Sequence, residues 1–203
     1  MNQPAQTNTR QKAIFISDLH LQPALPETTR AFLDFLKTQG QQTERLYILG
    51  DLFEYWAGDD DMDSEYLKTI VGALRSLADS GTAVFWICGN RDFLTGNRFL
   101  EATGAQALPE PAVVDLAGKK IALVHGDAQC TDDHAYMQFR TMVRNPLWQK
   151  QFLGMPLAQR KALIAGMRED SQKGNREKSM QMMDVNAAAI DALFTQTGAT
   201  VLI

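Results

Sequence analysis

The chain carries only three histidines in 203 residues, and two of them stand in short polar signatures that follow apolar runs. Asp18 and His20 close the first run in FISDLHL (15–21), Asp51 follows LYIL in GDLFE (50–54), Asn90 follows AVFWI in GNRD (89–92), and His125 follows IALV in HGD (125–127). Carboxylate, amide and imidazole donors without a thiolate suit hard or borderline divalent cations such as Mn2+, Mg2+ or Fe2+. Side chains alternate along a strand, so Asp18 and His20 are expected to face one point while Leu19 turns into the packing. Glycines at 50, 89 and 126 let the backbone come close where ligands converge. Each signature alone has a bland reading, in which a strand-end Asp caps a helix and a His is merely hydrogen-bonded. Four of them at four consecutive strand ends outweigh it and point to a metal cradle.

The elements that must position these groups follow from periodicity. AIFIS (13–17), LYIL (46–49) and AVFWI (83–87) read as buried strands. Between the first two, PETTRAFLDFLKTQG places Phe32, Leu33 and Leu36 on one helical face; between the second pair, Leu67, Ile70, Val71, Leu74, Leu77 and Ala78 do the same. Strand–helix–strand repetition gives right-handed crossovers and a largely parallel α/β sheet, whose ligand sites lie beyond the strand carboxyl ends. VVDL, AGKK and IALV (113–124) predict two strands and a tight turn. From about residue 131 to 197 the pattern becomes helical, with breaks expected at Asn145-Pro146, Gly154-Met155-Pro156 and Lys173-Gly174-Asn175. ATVLI (199–203) returns to strand character. Residues 1–12 read as a flexible polar tail with no apolar signal-peptide core.

A hydrophobic content of 45% supports a real core, and a net charge of −4 argues against a nucleic-acid partner. Two cysteines make no disulfide framework, which suits a reducing cytosolic setting. No stretch is long and apolar enough to span a bilayer, so any membrane contact is expected to be peripheral.

In this order, DLH, GDLFE, GNRD and HGD resemble the calcineurin-like metallophosphoesterase superfamily. GDLFEYWAGDDD (50–61), GNRDF (89–93), HGDAQCTDDHAYMQFR (125–140), SQKGNREKS (171–179) and MDVN (183–186) resemble one branch, the UDP-2,3-diacylglucosamine diphosphatases of bacterial lipid A synthesis. The resemblance spans nearly the whole chain. It implies an α/β sandwich of mixed sheets flanked by helices, a single domain over 13–203 with 131–197 inserted as a helical lid. It implies two divalent ions, Mn2+ above all, held by Asp18, His20, Asp51, Asn90 and His125, with Asp51 bridging and a water between the ions as nucleophile. It further implies substrate contacts from Asn90, Arg91, Asp133, Ser171, Asn175 and Lys178. The reaction implied is hydrolysis of the pyrophosphate of UDP-2,3-diacylglucosamine to UMP and 2,3-diacylglucosamine 1-phosphate. The setting implied is peripheral, on the cytoplasmic face of the bacterial inner membrane, with no obligate protein partner. The family's last two ligands come from a Gly-His-x-His motif after the final core strand. Here TVLI closes the sequence. The expectation is therefore that this ligand loop is missing and that the polypeptide holds metal weakly and turns over slowly.

Other residues keep two readings. Asp133 suits a helix N-terminus as well as a substrate contact. Arg91 could bind phosphate with its planar fork or make a surface ion pair. The methionine-rich segment 137–157 could accept acyl chains, or simply pack helix on helix. Asp59-Asp60-Asp61 is expected to be a solvated turn, and His134 to be exposed. Two alternatives stand beside the leading function: a phosphoesterase with another substrate, and a non-catalytic scaffold of the same fold.

Overall fold

The computed structural model describes residues 13–177 and 184–203, with 170–177 described by backbone alone. The tail over 1–12 and Lys178 thus lie outside the described residues, as do the side chains of Ser171 and Asn175.

Two sheets form the centre. The first joins β1 (Ile14–Ile16), β2 (Arg45–Leu49), β3 (Ala83–Ile87) and β4 (Gln106–Ala107) in that order, all parallel. The second joins β5 (Ala112–Leu116), β6 (Lys119–Leu123) and β7 (Val201–Leu202), with β5 antiparallel and β7 parallel to β6. The crossovers are α1 (Pro26–Lys37), α2 (Glu65–Asp79) and α3 (Asn97–Thr103). Pro26 starts α1 at a position where a missing N–H costs nothing.

The first sheet is buried on both faces, which is why its strands read as continuous apolar runs. Leu46, Ile48, Val84 and Trp86 pack with Phe32 and Leu36 of α1 and Ile70, Leu74 and Leu77 of α2. The alternate residues Tyr47, Leu49 and Ile87 pack with Ala112, Ile121 and Leu123 of the second sheet. Register partners Phe15, Tyr47 and Phe85 stack across the three strands at centroid separations of 5.0 and 4.8 Å.

The helical segment comprises α4 (His134–Val143), α5 (Pro146–Leu153) and α6 (Leu157–Glu177), followed by α7 (Ala187–Thr197). The breaks at Asn145-Pro146 and Gly154-Met155-Pro156 occur as expected. The break at Lys173-Gly174-Asn175 does not, since α6 runs through it to Glu177. A glycine in a helix interior costs only about 1 kcal/mol relative to alanine and does not by itself end a helix.

Asp59-Asp60-Asp61 also differs from expectation. It is a 3-10 turn that anchors its surroundings. Asp59 accepts from the backbone N–H of Gly96 and Phe99 at 2.9 and 3.0 Å, capping α3, and from the Trp56 indole at 3.0 Å. Asp60 pairs with Arg160, and Asp61 with Lys161 at 2.6 Å. The charges converge there because α6 brings its cations onto this turn, a contact no local pattern reveals.

Candidate metal centre

The groups after β1, β2 and β3 meet because their loops zip together by backbone hydrogen bonds. Asp18 N–H donates to Gly50 O at 3.1 Å, His20 N–H to Asp51 O at 3.0 Å and Leu21 N–H to Leu52 O at 2.8 Å. Trp56 N–H donates to Arg91 O at 3.1 Å, tying the second loop to the third. At the crossing, a Cβ on Gly50 would sit 2.5 Å from Gly89 Cα, and one on Gly89 would sit 2.1 Å from Asp51 Oδ1. Both positions therefore exclude any side chain.

Strand alternation does not aim Asp18 and His20. β1 ends at Ile16, and both residues lie beyond it in the left-handed region, with φ of 56° and 49°. Asp51 shares that conformation at 53°. For residues with a Cβ this costs of order 1 kcal/mol or more each, and such strain gathers at functional sites. Leu19 still packs against the main core, as expected. A second difference concerns His125, which follows β6 and so reaches the site from the second sheet. The centre lies where the two sheets' carboxyl ends face each other.

Asp18, His20 and Asp51 present one donor atom each within 4.8 Å of one another. His20 Nε2 lies 4.0 Å from Asp18 Oδ1, and His20 Nδ1 lies 4.0 Å from Asp51 Oδ2. His125 Nδ1 lies 2.9 Å from Leu49 O. A carbonyl only accepts, so Nδ1 carries the proton and Nε2 turns a lone pair inward. That lone pair meets Asp51 Oδ1 at 3.6 Å and Asn90 Oδ1 at 3.3 Å. As oriented, Asn90 Oδ1 also approaches the Asp51 oxygens at 2.6 and 3.0 Å. Turning the amide over lets its nitrogen donate to both Asp51 oxygens and to the His125 Nε2 lone pair, whereas the oxygen turned inward is a further donor for a cation. Burial raises the Asp51 carboxyl above its ordinary range against the opposing pull of His125, the Arg91 N–H and His20, with Asp18 adding to the rise. The donor set of carboxylate, imidazole and amide groups fits divalent cations.

Three carboxylates that the motifs contain, but to which no role was assigned from sequence, organise this centre. Asp92 is fully buried and accepts from the N–H groups of Gly89, Leu52, Asp51 and Phe53 at 2.8, 2.9, 3.3 and 3.5 Å, locking the second and third loops together. Burial, then the neighbouring Asp51 charge, pushes it to about 6. Asp127 accepts from Tyr136 Oη at 2.6 Å and Arg140 Nε at 2.9 Å. Burial pushes Asp127 up, but those hydrogen bonds and the Arg140 and Arg144 charges outweigh it and hold it low. Glu54 lies 3.1 Å from His20 Nδ1 and 3.6 Å from Arg91 Nη1, and touches Arg168.

Among the substrate candidates, Arg91 reaches the rim of the centre with Nε 4.0 Å from Asp51 Oδ2. Asp133 is buried and caps α4, accepting from Tyr136 N at 3.0 Å. His134 is exposed, as expected. Asn186, from the MDVN motif, caps α7 and donates to Asp132.

From His134 to Arg168 the chain has six Lys and Arg and no Asp or Glu. Five of the six turn toward the acidic body: Arg140 to Asp127 and Glu110, Arg144 to Gly89 O, Arg160 to Asp60, Lys161 to Asp61 and Arg168 to Glu54. The cations thus hold the helices down, leaving Met142, Leu147, Leu153 and Leu163 exposed on the outside, Leu147 to 72%.

A calcineurin-like phosphoesterase family model matches residues 12–180. The chain is similar to a UDP-2,3-diacylglucosamine hydrolase from Aromatoleum aromaticum, 47% identical over 94% of this chain and 78% of the relative. It is also similar to proteins of the same name from Serratia proteamaculans, 50% identical over 88% and 74%, and from Cellvibrio japonicus, 46% identical over 94% and 79%.

Proposed function

The chain belongs to the calcineurin-like phosphoesterases, and on that premise we propose that it hydrolyses the pyrophosphate of UDP-2,3-diacylglucosamine in lipid A synthesis. Water attacks the α-phosphorus, the bond from that phosphorus to the bridging oxygen breaks, and UMP and 2,3-diacylglucosamine 1-phosphate leave. The observation that carries this reading is the convergence of Asp18, His20, Asp51, Asn90 and His125 at the junction of two sheets.

Asp18, His20, Asp51, Asn90 and His125 would hold two divalent ions, Mn2+ above all. Such ions supply neutralisation of phosphoryl charge and an acidified water at neutral pH. Arg91 offers its fork to a phosphate oxygen beside Asn90, where the leaving phosphate develops charge. His125 keeps its Nε2 lone pair inward through the Leu49 contact. Asp133 caps α4 at the edge of the site and contacts the substrate, as do Ser171, Asn175 and Lys178.

The helices from α4 onward form that lid, within one domain over 13–203. Their exposed Met142, Leu147, Leu153 and Leu163 meet acyl chains or the bilayer. No helix among the described residues is long and apolar enough to cross a membrane. The protein acts peripherally, at the cytoplasmic face of the inner membrane, without an obligate protein partner.

The test is product analysis with UDP-2,3-diacylglucosamine in mixed micelles. UMP release that a chelator stops and Mn2+ restores is expected. Hydrolysis of generic aryl phosphates alone would move the substrate elsewhere, and no Mn2+-dependent hydrolysis of either would favour the scaffold reading.

A further inference from the structure

We infer that Glu54 is the positioning residue that joins the metal centre to the phosphate-binding Arg91 and to Arg168 of the lid; this rests on the metal-centre reading above. Glu54 is 9% exposed, and its two oxygens are divided between neighbours. Oε2 lies 3.1 Å from His20 Nδ1; Oε1 lies 3.6 Å from Arg91 Nη1 and touches Arg168 Nη2. His20 Nδ1 is buried and makes no aligned hydrogen bond, while Nε2 faces Asp18. An imidazole that ligates through Nε2 must carry its proton on Nδ1, and that proton needs an acceptor. Glu54 stands where the acceptor is required. A carboxylate there fixes the ring and strengthens Nε2 as a donor to the cation.

The other oxygen does a different job. Arg91 follows the ligand Asn90 in the third loop, and Arg168 comes from α6, so one carboxylate gathers a metal ligand, a loop arginine and a lid arginine. Arg168 Nε is buried without a partner, and burial lowers the guanidinium below its ordinary range. The Glu54 carboxylate touches Arg168 and faces Arg91, and so sets where both forks stand relative to the cradle. Glu54 touches no reacting atom. It acts through His20, Arg91 and Arg168.

The experiment titrates Mn2+ into chelator-treated wild type, Glu54→Gln and Glu54→Ala, reading free Mn2+ by electron paramagnetic resonance, with KM and kcat for UMP release measured at saturating Mn2+. Glu54→Ala is expected to weaken Mn2+ binding about 10–100-fold. Glu54→Gln keeps an acceptor for Nδ1–H but not the charge, and is expected to fall between the two. Both should raise KM more than they lower kcat, because the arginines lose their anchor. Folded variants that bind Mn2+ like wild type with unchanged KM overturn the assignment, and Glu54→Gln alone decides it if Glu54→Ala does not fold. Wild type that takes up no Mn2+ refutes the metal centre itself.

Discussion

His125 Nδ1 and Leu49 O, 2.9 Å apart, connect the second sheet to the carboxyl end of β2 and fix the tautomer of the imidazole. This contact turns Nε2 toward Asp51 and Asn90. His125→Ala is therefore expected to weaken Mn2+ binding by at least roughly 10–100-fold, the loss typical of an outer partner, since the proposal makes His125 itself a ligand. Calorimetric titration of Mn2+ checks it. Wild-type affinity in the variant would remove His125 from the centre.

Asp92 presents its carboxylate to four backbone N–H groups. Asp92→Asn replaces one acceptor oxygen by an NH2 group facing N–H donors. It should destabilise the fold by about 2–3 kcal/mol. Urea unfolding reads the shift in midpoint, and a variant as stable as wild type would show that the loops close without it.

The Arg160 side-chain hydrogen bond holds Asp60 below the ordinary carboxylate range, with partial burial opposing and the Arg160 charge adding to it. A lowered folded pKa gives stability that is present above the unfolded value of about 4 and is lost as pH falls through the folded one. Asp60 is 55% exposed at its side chain, so the contribution is small, of order 1 kcal/mol or less. Asp60→Asn should accordingly be less stable than wild type at pH 7, and the gap should close in acid. A gap independent of pH, followed by thermal unfolding from pH 7 to 2.5, would refute the ion pair as its source.

Arg91→Ala is expected to lower kcat/KM for UMP release on the order of 10²-fold or more, as loss of one oxyanion donor does. Arg91→Lys should recover only part of it, because an ammonium lacks the planar fork. Equal rates for Lys and Arg would reduce the role to charge alone.

The sequence by itself determined the parallel strand–helix–strand units, the first two crossover helices and the identity of the clustered groups, because strand periodicity and Gly-Asp or Gly-Asn turns are local. It could not determine the backbone that aims them. Asp18, His20 and Asp51 converge through left-handed φ angles, which hydrogen bonds between loops enforce and no residue type announces. It could not show that His125 arrives from the other sheet, or that Asp59–Asp61 cap α3 and receive α6. Glu54, Asp92 and Asp127 were in plain view within GDLFE, GNRD and HGD, yet their partners lie up to 114 residues away, as with Glu54 and Arg168. A carboxylate's role depends on which charges and N–H groups surround it in space, and only the tertiary structure brings those together.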